Sequence, residues 1–231
     1  MRFMKLIPAP LSTSKDECKA QFSMLLPYFS HFQIDIQDGI YVPNKTIELQ
    51  EYLAVIQDEI PRHLLADQNP ISVTLDLHLM LSDYTQSVEF CANALEKYNK
   101  VKIRAIFIHA NISQELLKKF KSLPFAMTFS PPDEPRDWTE YLQISKYAQV
   151  MTIYPGPQGQ QFMPEMLTKI GQIHEINPHI QVCIDGAVND TTYPIIKSQP
   201  SPCVPDELAI GSYFSKANPG NIASRIHKLS E

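Results

Sequence analysis

Glycine is scarce, seven residues in 231, and none follows the first apolar segment. The glycine-rich first turn with which doubly wound nucleotide-binding folds grip a pyrophosphate is therefore missing. Cysteine is sparse too: Cys18, Cys91, Cys183 and Cys203 are widely spread, without a C-x-x-C pair. That spacing excludes a thiolate zinc knuckle and a dense disulfide framework, and predicts free, mostly buried thiols. No basic run occurs and the net charge is −5, so no nucleic-acid surface is expected. No apolar stretch approaches bilayer length, and Met1 to Ser14 lacks the long apolar centre of a secretory signal. The expectation is a cytoplasmic protein with no membrane partner. At 44% hydrophobic and 19% charged, a chain of this length can bury one sizeable core.

What is present is a regular beat. Apolar strand patterns recur at Phe3 to Ile7, Phe32 to Ile36, Ile71 to His78, Ile103 to His109, Phe125 to Phe129, Val150 to Ile153, Ile180 to Ile184 and Leu208 to Ile210. Helical patterns lie between them: from Ser12 or Ser14 to about Pro27, then Thr46 to Ile60, Tyr84 to Tyr98 and Ser113 to Phe120. They continue at Trp138 to Lys146, Pro164 to Ile176, Thr191 to Lys197 and Ala217 to Leu229. Eight strand-then-helix units with short links imply a parallel sheet closed into a single-domain (β/α)8 barrel over residues 1–231. An open doubly wound sheet is the alternative, and the missing glycine turn counts against it.

The stretch Gln33-Ile34-Asp35-Ile36-Gln37-Asp38-Gly39-Ile40-Tyr41-Val42-Pro43-Asn44 is the most informative. Ile34 and Ile36 alternate with polar neighbours as in a strand, and Asp38-Gly39 breaks it. A carboxylate inside such a strand is costly unless paired. It is either a satisfied turn residue or a catalytic group at the C-terminal end of a barrel strand. On the barrel reading, Ser12, Gln33, Asp35, Gln37, His78, Met80, His109, Ser130, Met151, Asp185 and Ser212 face one bowl. Asp35 and Asp185, from opposite sides of it, suit removal of a proton from one face of a carbon and delivery to the other. The turns Pro155-Gly156-Pro157-Gln158-Gly159, Asp185-Gly186-Ala187 and Gly211-Ser212 are small enough for backbone N–H groups to converge on a phosphate.

These blocks resemble the ribulose-phosphate 3-epimerase family. Gln33 to Asn44 resembles its H-x-D-x-M-D-G-x-F-V-P-N signature, and Leu75-Asp76-Leu77-His78-Leu79-Met80 its D-x-H-L-M strand. Val150-Met151-Thr152-Ile153-Tyr154-Pro155-Gly156, with Gln158-Gly159-Gln160-Gln161-Phe162, is similar to V-M-T-V-x-P-G-F-G-G-Q-x-F. Ile184-Asp185-Gly186-Ala187-Val188 resembles V-D-G-G-V, and Gly211-Ser212 its final G-S. The resemblance implies a cytoplasmic isomerase of the pentose phosphate pathway that interconverts D-ribulose 5-phosphate and D-xylulose 5-phosphate through an enediolate. Asp35 and Asp185 would be its two acid/base groups. It further implies a divalent ion, zinc, iron(II), manganese or magnesium, held by Asp35, His78, Asp185 and the residue at position 33. Ser12, Met80, Met151, Gly156, Gly159, Gly186, Gly211 and Ser212 would bind the sugar phosphate, and barrels of this class commonly associate as homo-oligomers.

The departures mark a divergent member. Gln33 stands where the family has a histidine ligand, and an amide oxygen serves zinc or iron(II) less well than imidazole. The ion is then expected to bind weakly, to be a different and harder cation, or to be absent. Gln37 replaces a methionine, Ala9 a serine, and Gln158 and Ala187 each a glycine, while Ser130-Pro131-Pro132 replaces a K-P-G turn. Two alternatives follow: a non-catalytic phosphosugar-binding barrel that has lost its metal, and an epimerase for a related ketose phosphate such as allulose 6-phosphate. Retention of both aspartates with His78 favours an enzyme.

Overall fold

The computed structural model describes residues 4–62, 72–94, 97–157 and 159–230. Phe3 and Ile71, which open two of the expected strands, and Gln158 of the first glycine turn lie outside the described residues. Eight strands follow in order: β1 Lys5–Pro8, β2 His31–Gln37, β3 Val73–Met80, β4 Val101–His109, β5 Phe125–Phe129, β6 Tyr147–Met151, β7 Gln181–Asp185 and β8 Glu207–Ile210. Every pairing is parallel, in the order β1-β8-β7-β6-β5-β4-β3-β2. The two ends of that order, β1 and β2, lie against each other, which rolls the sheet into the nearly closed barrel expected from the sequence.

Helices cover the barrel: α1 Lys15–Leu25, α2 Leu49–Glu59, α3 Thr85–Ala94, α4 Gln114–Lys119, α5 Thr139–Ile144, α6 Thr168–Ile176, α7 Tyr193–Lys197, α8 Ser212–Ser215 and α9 Ile222–Lys228. Ser14 caps α1 by accepting from the Glu17 N–H, and Cys18, Phe22 and Leu25 form its buried face. Leu49, Tyr52, Leu53 and Ile56 do the same for α2, the i, i+3, i+4, i+7 spacing of a core-facing stripe. The helix expected over Ala217 to Leu229 is shorter. A 3-10 turn at Pro219–Asn221 precedes α9, because Pro219 and Gly220 are the poorest helix formers. A short α8, absent from the sequence reading, follows Gly211. No helix among the described residues is long and apolar enough to cross a membrane.

Alternation along the strands separates two cores. Phe32, Ile34, Ile36, Leu75, Leu77 and Leu79 pack outward with the helices. Inside the barrel, Ala9, Ala105, Phe107, Ala126, Cys183 and Ala209 form a small apolar cluster. Below it, toward the strand N-termini, Arg104 spans the barrel from β4. Its guanidinium donates to both oxygens of Asp76 at 2.8 and 2.6 Å and both of Glu207 at 2.6 Å. It lies 4.3 Å from the centroid of the Tyr147 ring. His31 adds a 2.9 Å contact to Asp76. Burial would raise the Asp76 carboxyl, but His31 and Arg104 outweigh it and hold the group below the usual range.

Arg104→Met would leave buried Glu207 without its partner and Asp76 with His31 alone, an expected loss of about 3–5 kcal/mol in unfolding free energy. Urea denaturation measures it, and a loss below about 1 kcal/mol would show that the network is not the barrel's lower tie.

Candidate active site

At the other end of the barrel the sequence places acids where apolar residues would be cheaper. Asp35 on β2 and His78 on β3 are register partners, so both side chains point inward at one level. Asp185 ends β7, and the three meet. His78 Nδ1 lies 3.3 Å from Asp35 Oδ1 and 3.1 Å from Asp185 Oδ2. Gln33, two residues before Asp35 and therefore on the same face, donates from Nε2 to Asp35 Oδ1 at 2.9 Å and to Asp185 Oδ2 at 2.6 Å. The carboxylates expected to face each other across the bowl are thus drawn into one cluster.

Burial raises the Asp35 carboxyl, and the Asp185 charge adds to the rise while His78 and Gln33 oppose it. For His78 burial acts downward, but hydrogen bonds to Asp185 and Asp35 and their charges prevail and raise it to about 9. His109, buried and beside His78, is pushed well below its ordinary value. It is therefore the neutral partner of the pair. At 3.0 Å the His78 Nε2–H donates to His109 Nε2, which leaves His109 Nδ1–H to donate to Ser130 Oγ at 3.1 Å.

The cluster forms the floor of a cavity of about 600 Å³. Met80, Met151, Gly156, Gly159, Gly186, Gly211 and Ser212 line it, as do Gln37 and, near its rim, Lys216 and Arg225. Gly186 is required: its φ is +123°, and a Cβ there would lie 2.6 Å from Ile153 Cγ1 and 3.0 Å from the Ile153 nitrogen. Ala187 holds a left-handed φ of 53° where the resembling motif has glycine, so the turn shape persists at the cost of a strained alanine. Ser12 stands apart: it is fully buried, is not among the cavity-lining residues, and gives its hydroxyl to Gln21. The turn-carboxylate reading fits Asp38 instead. Its side chain accepts from Ser82 and from the Ile40 and Tyr41 N–H groups, and despite the opposing effect of its limited burial these bonds lower it to about 2.

Asp35, His78 and Asp185 offer ligand atoms within 4.8 Å of one another. Two carboxylates and an imidazole on three strands, with room left beside them, fit the three-protein-ligand pattern of a divalent-ion site. Gln33 does not join as a ligand in this arrangement. Carboxylates only accept, so the amide end against them is its NH2 group. Its Oε1 turns away to accept from Gln149 Nε2 at 2.7 Å. Gln149 and its partner Thr128 were missed from sequence. The signal was there: Gln149 lies two residues before Met151 on a strand, and so faces the same way.

Three comparisons bear on this site. Residues 6–204 match the ribulose-phosphate 3 epimerase family. The cytoplasmic isoform of ribulose-phosphate 3-epimerase from Oryza sativa subsp. japonica is 27% identical, over 98% of this chain and 94% of its own length. A ribulose-phosphate 3-epimerase of Synechocystis sp. is 30% identical over 71% of this chain and 69% of its own. Among solved structures, a mutant tryptophan synthase alpha-subunit from Pyrococcus furiosus superposes with a TM-score of 0.67, covering 99% of this chain and 98% of that one. At 11% identity it speaks to the fold alone.

The raised His78 has a consequence for pH. Its pKa is about 9 folded against about 6.5 unfolded. Its contribution to stability is therefore complete below about pH 6.5 and lost as pH rises through 9. Metal-free protein is expected to lose stability between pH 7 and 9.5 more steeply than a His78→Gln variant, as read by urea denaturation across that range. Parallel slopes would refute the charged His78.

Proposed function

The chain belongs to the ribulose-phosphate 3-epimerase family, and on that footing we propose that it is a cytoplasmic sugar-phosphate epimerase. It interconverts D-ribulose 5-phosphate and D-xylulose 5-phosphate by a two-acid 1,1-proton transfer. The observation that carries this reading is the convergence of Asp35 and Asp185 at the floor of a cavity whose rim bears glycine turns and two cations. A substrate phosphate dianion would sit by Gly186, Gly211 and Ser212, where backbone N–H groups and the nearby Lys216 and Arg225 oppose its charge. That anchors the sugar with its reacting carbon over the acids. One carboxylate takes the C3 proton, and the other returns a proton to the opposite face of the enediolate. Burial and the charge of Asp185 raise the Asp35 carboxyl, so it takes up a proton more readily than an exposed aspartate would. His78 and Gln33 keep the pair in place, and Met80 and Met151 exclude water beside the planar intermediate. A divalent cation on Asp35, His78 and Asp185 would supply Lewis-acid polarisation of the substrate oxygens.

A specific observation favours a second reading of the substrate. Gln37 lines the cavity, is buried, and its Oε1 has no protein partner; its Nε2 reaches only Met80 Sδ at 3.6 Å. A partnerless buried acceptor on a cavity-lining side chain is satisfied when a ligand hydroxyl reaches it, and a six-carbon ketose phosphate such as allulose 6-phosphate brings one more.

A coupled epimerase assay on chelator-treated protein, with zinc, iron(II), manganese and magnesium restored in turn, tests the proposal. Asp35→Asn and Asp185→Asn are each expected to lower kcat by about 10²–10⁴-fold; a variant within tenfold of the parent would remove that residue from the mechanism. Gln37→Met is expected to raise KM for the true ketose phosphate about tenfold, one hydrogen bond's worth. The five- or six-carbon substrate that shows the rise is the one Gln37 meets, and no change with either would remove Gln37 from recognition.

A further inference from the structure

Thr128 on β5 and Gln149 on β6 are register neighbours, both fully buried. Thr128 Oγ1 donates to Gln149 Oε1 at 3.0 Å. Gln149 Nε2 donates to Gln33 Oε1 at 2.7 Å, and Gln33 Nε2 donates to Asp35 and Asp185. The direction of this row is dictated from one end, where two acceptor-only carboxylates demand N–H groups. The other end is a hydroxyl, which can donate or accept. The row can therefore run in reverse: Thr128 accepts from Gln149 Nε2, Gln149 Oε1 accepts from Gln33 Nε2, and Gln33 Oε1 faces the acids. Reversal keeps the bonds between Thr128, Gln149 and Gln33, but it gives up the 3.3 Å contact of Gln149 Nε2 with Asp185 Oδ2 and leaves Gln33 Oε1 without a donor.

The reversed row would set an oxygen lone pair against two carboxylates, which is repulsive unless a cation stands among them. The dimensions suit one. Gln33 Nε2 lies 2.9, 2.6 and 3.4 Å from Asp35 Oδ1, Asp185 Oδ2 and His78 Nδ1. His78 Nδ1 lies 3.3 and 3.1 Å from the same two oxygens. Ligands bonded at about 2.0 Å to one tetrahedral ion stand about 3.3 Å apart. Turning the amide puts an oxygen 2.6–3.4 Å from those three atoms, a spacing that must widen slightly to close around an ion.

We propose that Thr128, Gln149 and Gln33 form a reversible amide relay that makes cation occupancy of the Asp35–His78–Asp185 centre conditional on its direction. With the Gln33 NH2 inward, the amide ties the two acids together without an ion. With its carbonyl inward, Gln33 supplies the fourth ligand. Gln149 and Thr128 are positioning residues that act through Gln33. The inference rests on the functional reading only in assigning a cation to that centre.

Mn²⁺ titration of chelator-treated protein by calorimetry tests the relay. Gln149→Glu presents an acceptor-only side chain, so Gln33 must turn its NH2 toward position 149 and its oxygen toward the centre. Mn²⁺ affinity is expected to rise at least tenfold, and the gain to vanish when the change is made in a Gln33→Leu background. An equal gain in that background would show that added charge alone attracts the ion and would overturn the relay. No gain in folded Gln149→Glu would overturn it too. A second measurement needs no variant. On zinc addition to wild-type protein, the side-chain amide NMR signals of Gln33 and Gln149 are expected to shift with one common zinc dependence. A shift of Gln33 with Gln149 unchanged would contradict the relay. Turnover of ribulose 5-phosphate on the same samples separates the two ideas. Coupled cation binding without turnover retains the relay and removes the functional reading, and turnover without coupling does the reverse.

Discussion

Two carboxylates drawn together inside a barrel repel each other, and the upper half of this molecule is arranged around answering that repulsion. Asp35 and Asp185 come from β2 and β7, and what joins them is N–H groups: the Gln33 amide at 2.9 and 2.6 Å and the His78 ring at 3.3 and 3.1 Å. Each donor is in turn fixed from behind, Gln33 by Gln149 and His78 by His109. With those supports the pair can stand close in a buried site; without them one acid would have to stay protonated or swing into the cavity. Proton traffic at a sugar carbon needs two such groups held near each other and near a phosphate anchor. The barrel provides both at the same end of its strands.

The opposite end solves a similar problem with permanent charge. Arg104 joins Asp76 and Glu207 across the interior with four hydrogen bonds, and the apolar layer around Phe107 and Cys183 separates this network from the upper one. A fixed guanidinium suits a structural tie, since it cannot lose its proton. Amides and imidazoles suit the upper site, because their hydrogen-bonding sense can change. The division of side-chain types between the two ends therefore follows the division between support and chemistry.

Most of this was legible in the sequence. Short apolar runs, alternating in β2 and β3, located the eight strands, with the sixth set a few residues late, and the spacing of Asp35, His78, Met80, Met151, Asp185 and the glycine turns marked one end of the barrel. Less legible were features that depend on contacts between distant strands. Nothing local indicates that Gln33 presents nitrogen rather than oxygen to the acids; that follows from Gln149, 116 residues away. Ser12 sits at the end of the first strand pattern, yet Gln21 and Tyr52 draw it into the packing behind the cavity. Asp35 and Asp38 are alike in sequence. Only the partners of Asp38, Ser82 among them, separate the turn anchor from the acid in the site. Helix ends fell short of their patterns where Pro219 and the short turn at Pro135–Trp138 interrupt them.

The most direct measurement of the two-acid account is solvent isotope incorporation. Ribulose 5-phosphate is incubated with the protein in D₂O, and the C3 position of both epimers is followed by NMR at early times. The account predicts that xylulose 5-phosphate forms carrying one deuterium at C3, delivered by an acid in exchange with solvent, while unconverted ribulose 5-phosphate stays largely protiated. Epimerisation with retention of the original C3 hydrogen would contradict it, because the proton would then have been removed and returned by one group shielded from water.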